Sequence, residues 1–238
     1  MGPEPDPLSP DNAANDWPRL ASTRTPESYT WPLVAIAVVI MPQVLVPSKH
    51  RVGPPFLVPI VEAAAFLVML LIAARPGPVP RGARPFVLSL FCVLILANAA
   101  ATIRLVLLVL DGGKVDGSAL TPDRLLIAGG LVLTMNVITF ALLYWQLDGG
   151  GPAGRVEDSA PYPDFQFPQT ATSGLAAPGW QPRFHDYLYV AFTSVLAFSP
   201  TDTMPLVGRA KGLMAIQSVI SLSVLVVVLS RVINILPT

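Results

Sequence analysis

From Ala197 to Leu206 the chain reads Ala-Phe-Ser-Pro-Thr-Asp-Thr-Met-Pro-Leu, which places Ser199, Thr201, Asp202 and Thr203 side by side, with Thr193 and Ser194 shortly upstream. Hydroxyl and carboxylate oxygens at that density, in an otherwise apolar stretch, suit the handling of hydrated ions, and Asp202 is the formal charge among them. Chemistry of the bond-breaking kind has little to stand on. His50 and His185 are isolated and belong to no metal-ligand spacing, and no serine sits in a Gly-rich nucleophile elbow. Gly149-Gly150-Gly151 lacks the Lys and the Ser or Thr that follow in a phosphate loop. The sequence therefore predicts no enzyme, no catalytic residue, no metal site and no cofactor.

A second group consists of ionisable residues inside apolar runs: Glu62, Arg104 and Arg231. Such residues cost roughly 2.5–3.5 kcal/mol each on insertion scales, so each needs a partner, water or a route to the interface. One hypothesis pairs Glu62 with Arg104 or Arg231, all three lying at similar depth. The competing reading lets each arginine snorkel to the headgroups.

The elements that must position these residues follow from composition. Of 238 residues 53% are hydrophobic and 13% charged, against roughly 25% charged in a soluble domain, and the mean hydropathy is +0.59. Lys and Arg total 15, as do Asp and Glu, and the basic residues stand singly. Nucleic acid is excluded as a partner; the lipid bilayer is the expected one. Cys92 is the one cysteine, and it reads as a small apolar residue in a helix.

Residues 1–30, with five prolines before Arg19 and no apolar stretch, read as a disordered tail, so the first span is expected to act as its own uncleaved insertion signal. Four apolar runs follow at Leu33–Val46, Phe56–Ala74, Phe86–Leu110 and Leu125–Leu147, which makes 31–147 a four-helix transmembrane region. Their links, Ser48–Pro55, Arg75–Pro85 and Asp111–Pro122, are rich in breakers and read as tight turns. Thr121 and Pro122 are placed as N-cap and first residue of the fourth helix. Residues 148–184 form a Gly, Pro and acid-rich extramembrane loop without helical period, in which Tyr162, Phe165, Phe167 and Trp180 are available to dock on the bundle.

Residues 185–238 form the last unit. Its first piece, about 14 residues or 21 Å as a helix, is too short to span and reads as a re-entrant or interfacial half-helix, with His185-Asp186 as an interfacial pair and cap. A polar turn and a helix from about Gly212 to Leu236 complete it. The expected fold is an all-α integral membrane protein of about five transmembrane helices plus that half-helix. Irregular backbone at membrane depth is tolerated where it is buried or lines a water-filled cavity, so the turn has two compatible readings. It lines an ion pathway of Thr193, Ser199, Thr201, Asp202 and Thr203, or it starts the last helix, with Ser199 as N-cap, Pro200 next and Asp202 third. On that last helix Ser223, Ser230 and Asn234 share one arc and Gln217 and Ser221 a neighbouring one; with Asn98, Thr102, Asn136 and Thr139 these read as interhelical glue or pore lining.

This unit resembles the pore-helix, filter and inner-helix layout of potassium channels. There is no glycine between His185 and Val207, so a filter of inward carbonyls in the left-handed region is not predicted, and potassium selectivity with it. Over the whole chain after the tail, the sequence is similar to a group of multi-spanning membrane proteins of actinobacteria and related bacteria. The matching segments are Tyr144-Trp-Gln-Leu-Asp-Gly-Gly-Gly-Pro152, Tyr162-Pro-Asp-Phe-Gln-Phe-Pro-Gln169, Asp186-Tyr-Leu-Tyr-Val-Ala-Phe-Thr193, Ala197 to Leu206, and Arg209-Ala-Lys211. Members often carry Glu where Gln146 stands here, which speaks against a proton-carrying role at that position. The resemblance implies a bacterial inner-membrane location and brings no activity with it.

Two functions follow from these readings. One is an oligomeric ion channel, since a lone half-helix encloses no pore and conduction requires copies around a symmetry axis. The other is a non-conducting structural or regulatory membrane protein. Arginines crowd the side holding Arg75, Arg81, Arg84, Arg155, Arg183 and Arg209, which the positive-inside rule makes cytoplasmic, whereas a channel-like topology would make it external.

Overall fold

The computed structural model describes residues 27–45, 57–74, 83–111, 114–115, 118–119, 121–157, 162–172, 175–176, 179–197 and 202–235. The apolar runs become helices α1 (Thr30–Leu45), α2 (Leu57–Ala74), α3 (Ala83–Leu110) and α4 (Pro122–Leu147). A short α5 (Gly151–Glu157), a single turn α6 (Pro168–Ala171), the half-helix α7 (Phe184–Leu196) and the long α8 (Gly208–Ile235) follow. Three of them, α3, α4 and α8, are long and apolar enough to cross a membrane; α1 and α2 are shorter apolar helices. At 28, 26 and 28 residues the long helices exceed the roughly 20 residues that hydrocarbon demands. The chain is thus all-α in class with the apolar helices of an integral membrane protein.

Local chemistry sets several boundaries. Thr121 is extended at φ −70°, ψ 153° and Pro122 takes the first helical position. The Thr121 side chain makes no cap hydrogen bond, so here the proline, with its preset φ and missing N–H, does the starting. The tight turn expected after α3 contains a two-residue ladder, β1 (Lys114–Val115) against β2 (Ser118–Ala119).

Pairs of contacts fix helix direction. Asn98 Nδ2 donates to Asn136 Oδ1 at 3.1 Å, while Arg84 meets Gln146 and Leu147, so α3 and α4 are antiparallel. Tyr144 bonds Gln217 and Asn136 bonds Ser221, so α4 and α8 are antiparallel too. Gln217 Nε2 donates to Ala191 O at 2.9 Å and Ser218 Oγ to Ser194 O at 3.4 Å. Both sequence numbers rise together, so α7 runs parallel to α8 from the same end of the bundle. That end also holds the starts of α1 and α3 and the end of α4, and we call it the cap.

Asn98, Asn136, Tyr144, Gln217 and Ser221 form one buried seam. Asn136 Nδ2 donates to Ser221 Oγ at 2.7 Å and to Gln217 O at 3.2 Å, and Tyr144 OH donates to Gln217 Oε1 at 2.7 Å. Gln217 and Ser221 are therefore the packing arc of α8, whereas Ser230 and Asn234 are exposed. Where water is absent each such bond contributes only about 0.6–2 kcal/mol, but it fixes helix rotation. Farther from the cap, Leu105, Val109, Leu125, Val224, Val228 and Val232 form a small apolar cluster.

In that cluster α4 and α8 approach closely at Gly129, where a Cβ would meet Val228 Cγ2 at 3.0 Å; at Gly130 it would meet nothing within 4 Å. Gly129→Val is expected to destabilise by about 1–3 kcal/mol through overpacking, and Gly130→Val by far less. Thermal unfolding in detergent checks this, and equal midpoints for the two variants would refute the close-approach account.

Three expectations are corrected. First, residues 27–30 do not belong to a disordered tail: Glu27 and Tyr29 pack at the cap, and α1 begins at Thr30. Second, the segment from Asp148 to Pro182 is not free of helix, since α4 passes through a 3-10 turn at Asp148–Gly150 into α5. Gly149 at φ 57° and Gly151 at φ 83° make the break, because left-handed backbone is cheap only for glycine. Third, Ser199 is not the N-cap of the last helix. Met204–Pro205 pairs as β4 with β3 (Phe165–Gln166), and α8 starts only at Gly208. The ladder holds residues 204–205 extended, so no helix can run back to Ser199.

Candidate functional site

The cap is built from five sequence-distant pieces. The sharp end of α4 leaves carbonyls without helical partners. Arg155, brought back by the glycine turn, donates through Nη1 to Trp145 O at 2.8 Å and Asp148 O at 2.9 Å. Arg84, from the first turn of α3, reaches Leu147 O at 3.3 Å. Two guanidinium groups thus sit on the negative end of the α4 dipole.

Asp148 is the hub. It is 1% exposed, and its Oδ1 accepts the N–H groups of Asp164 at 2.6 Å and Phe165 at 3.1 Å. Its Oδ2 accepts Tyr187 OH at 2.5 Å. Burial holds the Tyr187 hydroxyl well above its ordinary pKa, so it stays protonated and can donate. Asp148 therefore ties the end of α4 to β3 and to α7 in one step. Asp164, itself buried, then pairs with Arg209 on the first turn of α8, through Nε to Oδ1 and through Nη2 to Oδ2 at 2.7 Å. That two-point geometry is the strong form of the arginine–carboxylate contact.

Glu27 closes the other side. Its Oε1 accepts Phe184 N–H and its Oε2 accepts Trp145 Nε1–H, both at 2.6 Å, and Arg155 Nη2 lies 3.5 Å from Oε2. The Arg155 guanidinium also stands over the Tyr187 ring at 5.1 Å, a cation–π contact. Around these groups the aromatic rings interlock. Phe165 packs on Tyr144, Phe167 on Tyr187 and on Trp180, and Phe184 on Trp145. The expected docking of loop aromatics holds for Phe165, Phe167 and Trp180; Tyr162 is 77% exposed and takes no part. Asp186 Oδ2 accepts the Arg183 N–H at 2.7 Å and lies 3.6 Å from His185 Nε2, the cap and pair expected at the half-helix start.

The residues singled out for an ion pathway are placed as follows. Thr193 is buried and its Oγ1 lies within donor reach of Tyr189 O and Val190 O on its own helix, as Ser194 Oγ donates to Val190 O. Thr203 is buried and Asp202 exposed. Ser199 and Thr201 lie outside the described residues, as does the Glu62 side chain, so its pairing with Arg104 or Arg231 is not addressed. Arg104 is exposed and Arg231 half-buried, at the end of the bundle away from the cap, next to Leu105 and Val232 of one cluster.

Sequence reasoning missed the hub. Glu27 was hidden in a proline-rich tail, and Asp148, Arg155 and Asp164 in a segment that looked like linker. The available signal was the loop itself: charged residues are scarce in this chain, yet Asp148, Arg155, Glu157, Asp158 and Asp164 fall there within 17 positions, together with aromatics at Tyr162, Phe165 and Phe167. The segments from Tyr144 to Pro152, Tyr162 to Gln169, Asp186 to Thr193 and on to Arg209 supply most of this network. Comparisons with known protein families, with curated proteins and with solved structures found no match.

Proposed function

We propose that the protein is a non-conducting structural or regulatory membrane protein that crosses the bilayer five times and presents the cap at the cytoplasmic face of a bacterial inner membrane. The observation that carries this reading is that the hydroxyls of Thr193 and Ser194, in the last two turns of α7, are spent inside the bundle. Thr193 and Ser194 turn back onto their own backbone, and Gln217 engages Ala191 O. A half-helix serving conduction would leave such oxygens facing water; here they close the packing between α7 and α8. The crowding of arginines at the cap end supports the sidedness.

The channel reading keeps one supporting observation, the parallel course of α7 and α8 from a common end, with exposed Asp202 beside their connection. It requires several copies around an axis. Ion flux through purified protein in liposomes separates the two. The expected result is no flux above protein-free liposomes at either polarity. Flux that falls in Asp202→Asn, with the variant folded, would overturn the proposal in favour of an ion pathway at the turn.

A further inference from the structure

On the cap, between the α5 region and the start of α7, lies a cavity of about 340 Å³ whose lining includes Glu27, Arg155, Trp180, Arg183, His185 and Asp186. Its size is that of a small-ligand site. Its walls carry charges of both signs, but the two signs are not equally available. On the acceptor side both oxygens of Glu27 are engaged, by Phe184 N–H and Trp145 Nε1–H, Asp186 receives the Arg183 N–H through Oδ2, and Arg155 O receives Gln181 Nε2–H. Two donor groups, on Arg183 and Trp180, are open. The Arg183 guanidinium is exposed at the rim, as is the His185 imidazole with its Nε2 3.6 Å from Asp186 Oδ2, and among the described residues the half-buried Trp180 indole N–H has no hydrogen-bond partner. The floor is Arg155, a fixed buried cation held by two carbonyls, the Tyr187 ring and the Glu27 carboxylate 3.5 Å away.

We propose that this cavity binds a phosphate-bearing ligand, its phosphoryl oxygens meeting Arg183, His185 and the Trp180 N–H. A phosphate group offers acceptors and little else, which complements the exposed Arg183 guanidinium and the unpartnered Trp180 N–H. The cavity opens where helices start and end, the level at which lipid headgroups lie against a membrane protein. The same chemistry is offered by a lipid phosphate and by a soluble one. This site lies at the cap and does not depend on whether the protein conducts.

The test is calorimetric titration of the full-length protein in detergent with inorganic phosphate and, separately, with dihexanoyl phosphatidic acid, using chloride at matched ionic strength as control. Saturable binding is expected, weakened about 5–10-fold in Arg183→Gln/His185→Gln, in keeping with the loss of one or two charge-assisted hydrogen bonds. These side chains are exposed, so the variant should unfold at the wild-type temperature. Lys211→Gln removes an exposed cation near the same end and should leave binding unchanged. Binding of both probes identifies a free phosphate group as sufficient; binding of phosphatidic acid alone identifies a lipid headgroup. Absence of saturable binding to either probe by folded protein overturns the proposal, and so does equal affinity in wild type and the rim variant or equal weakening by Lys211→Gln.

Discussion

Asp148→Ala is expected to destabilise the protein by about 3–5 kcal/mol, the largest effect we anticipate from a single truncation. The side chain is buried and serves three donors at once, Asp164 N, Phe165 N and Tyr187 OH. Removal leaves all three in a place water does not reach, and each unmade bond of that kind costs roughly 1–3 kcal/mol. Loss of the carboxylate also deprives Arg155 of a nearby negative charge, in the way that breaking a buried ionic network does. Asp148→Asn keeps an acceptor at Oδ1, and its amide can face a Tyr187 hydroxyl turned to accept, so about half the loss is expected. At roughly 2–4 °C per kcal/mol for a chain of this size, the alanine variant should melt about 6–20 °C lower in detergent. Near-ultraviolet circular dichroism is the suitable probe because Tyr187 and the aromatic rings around it report the cap. A midpoint within a degree or two of wild type would show that Asp148 is not the hub.

Arg155→Leu is expected to cost a similar amount, about 3–5 kcal/mol, for a different reason. Leucine replaces the bulk of the side chain, so packing is largely kept. What goes is the cation that caps Trp145 O and Asp148 O and lies 3.5 Å from Glu27 Oε2. Leaving a buried carboxylate without its counterion is the expensive part. The double variant Glu27→Gln/Arg155→Leu should therefore be more stable than the sum of its single effects indicates, by about 0.5–3 kcal/mol. Strict additivity in the cycle would mean that Glu27 and Arg155 do not act as a pair.

The two variants also separate the cap from the helices. The long helices α3, α4 and α8 are apolar along most of their length, and their seam through Asn98, Asn136, Ser221 and Gln217 does not involve Asp148 or Arg155. Far-ultraviolet helicity should survive in Asp148→Ala and Arg155→Leu at temperatures where the near-ultraviolet signal of the cap has gone.

Much of this architecture is written locally. Apolar runs broken by Pro and Gly mark α1 to α4 and α8, because about 20 apolar residues without charge have one comfortable place, and the helix is the form that satisfies its own backbone there. Pro122 and the glycines at 149 and 151 act through their own φ preferences, so the start and the end of α4 are local too. The shortness of α7 was legible for the same reason: 13 residues cannot span.

What the tertiary structure alone decided is who meets whom at the cap. Glu27 and Phe184 are 157 positions apart, Glu27 and Trp145 118, and Asp164 and Arg209 45. No periodicity carries such pairings. They arise because α1, α3, α7 and α8 all begin where α4 ends, so that one helix terminus gathers arginines, carboxylates and amide donors from five segments. The same fact displaced Ser199 from its expected cap. A sequence of Ser-Pro-Thr-Asp has the local preferences of a helix start, but Met204–Pro205 found hydrogen-bonding partners in Phe165–Gln166 instead, and the longer-range ladder outweighed the local signal. Helices and their breaks were determined by the sequence through short-range sterics and solvation; the site was decided by the folding of the chain, because burying charge demands partners that only distant segments could supply.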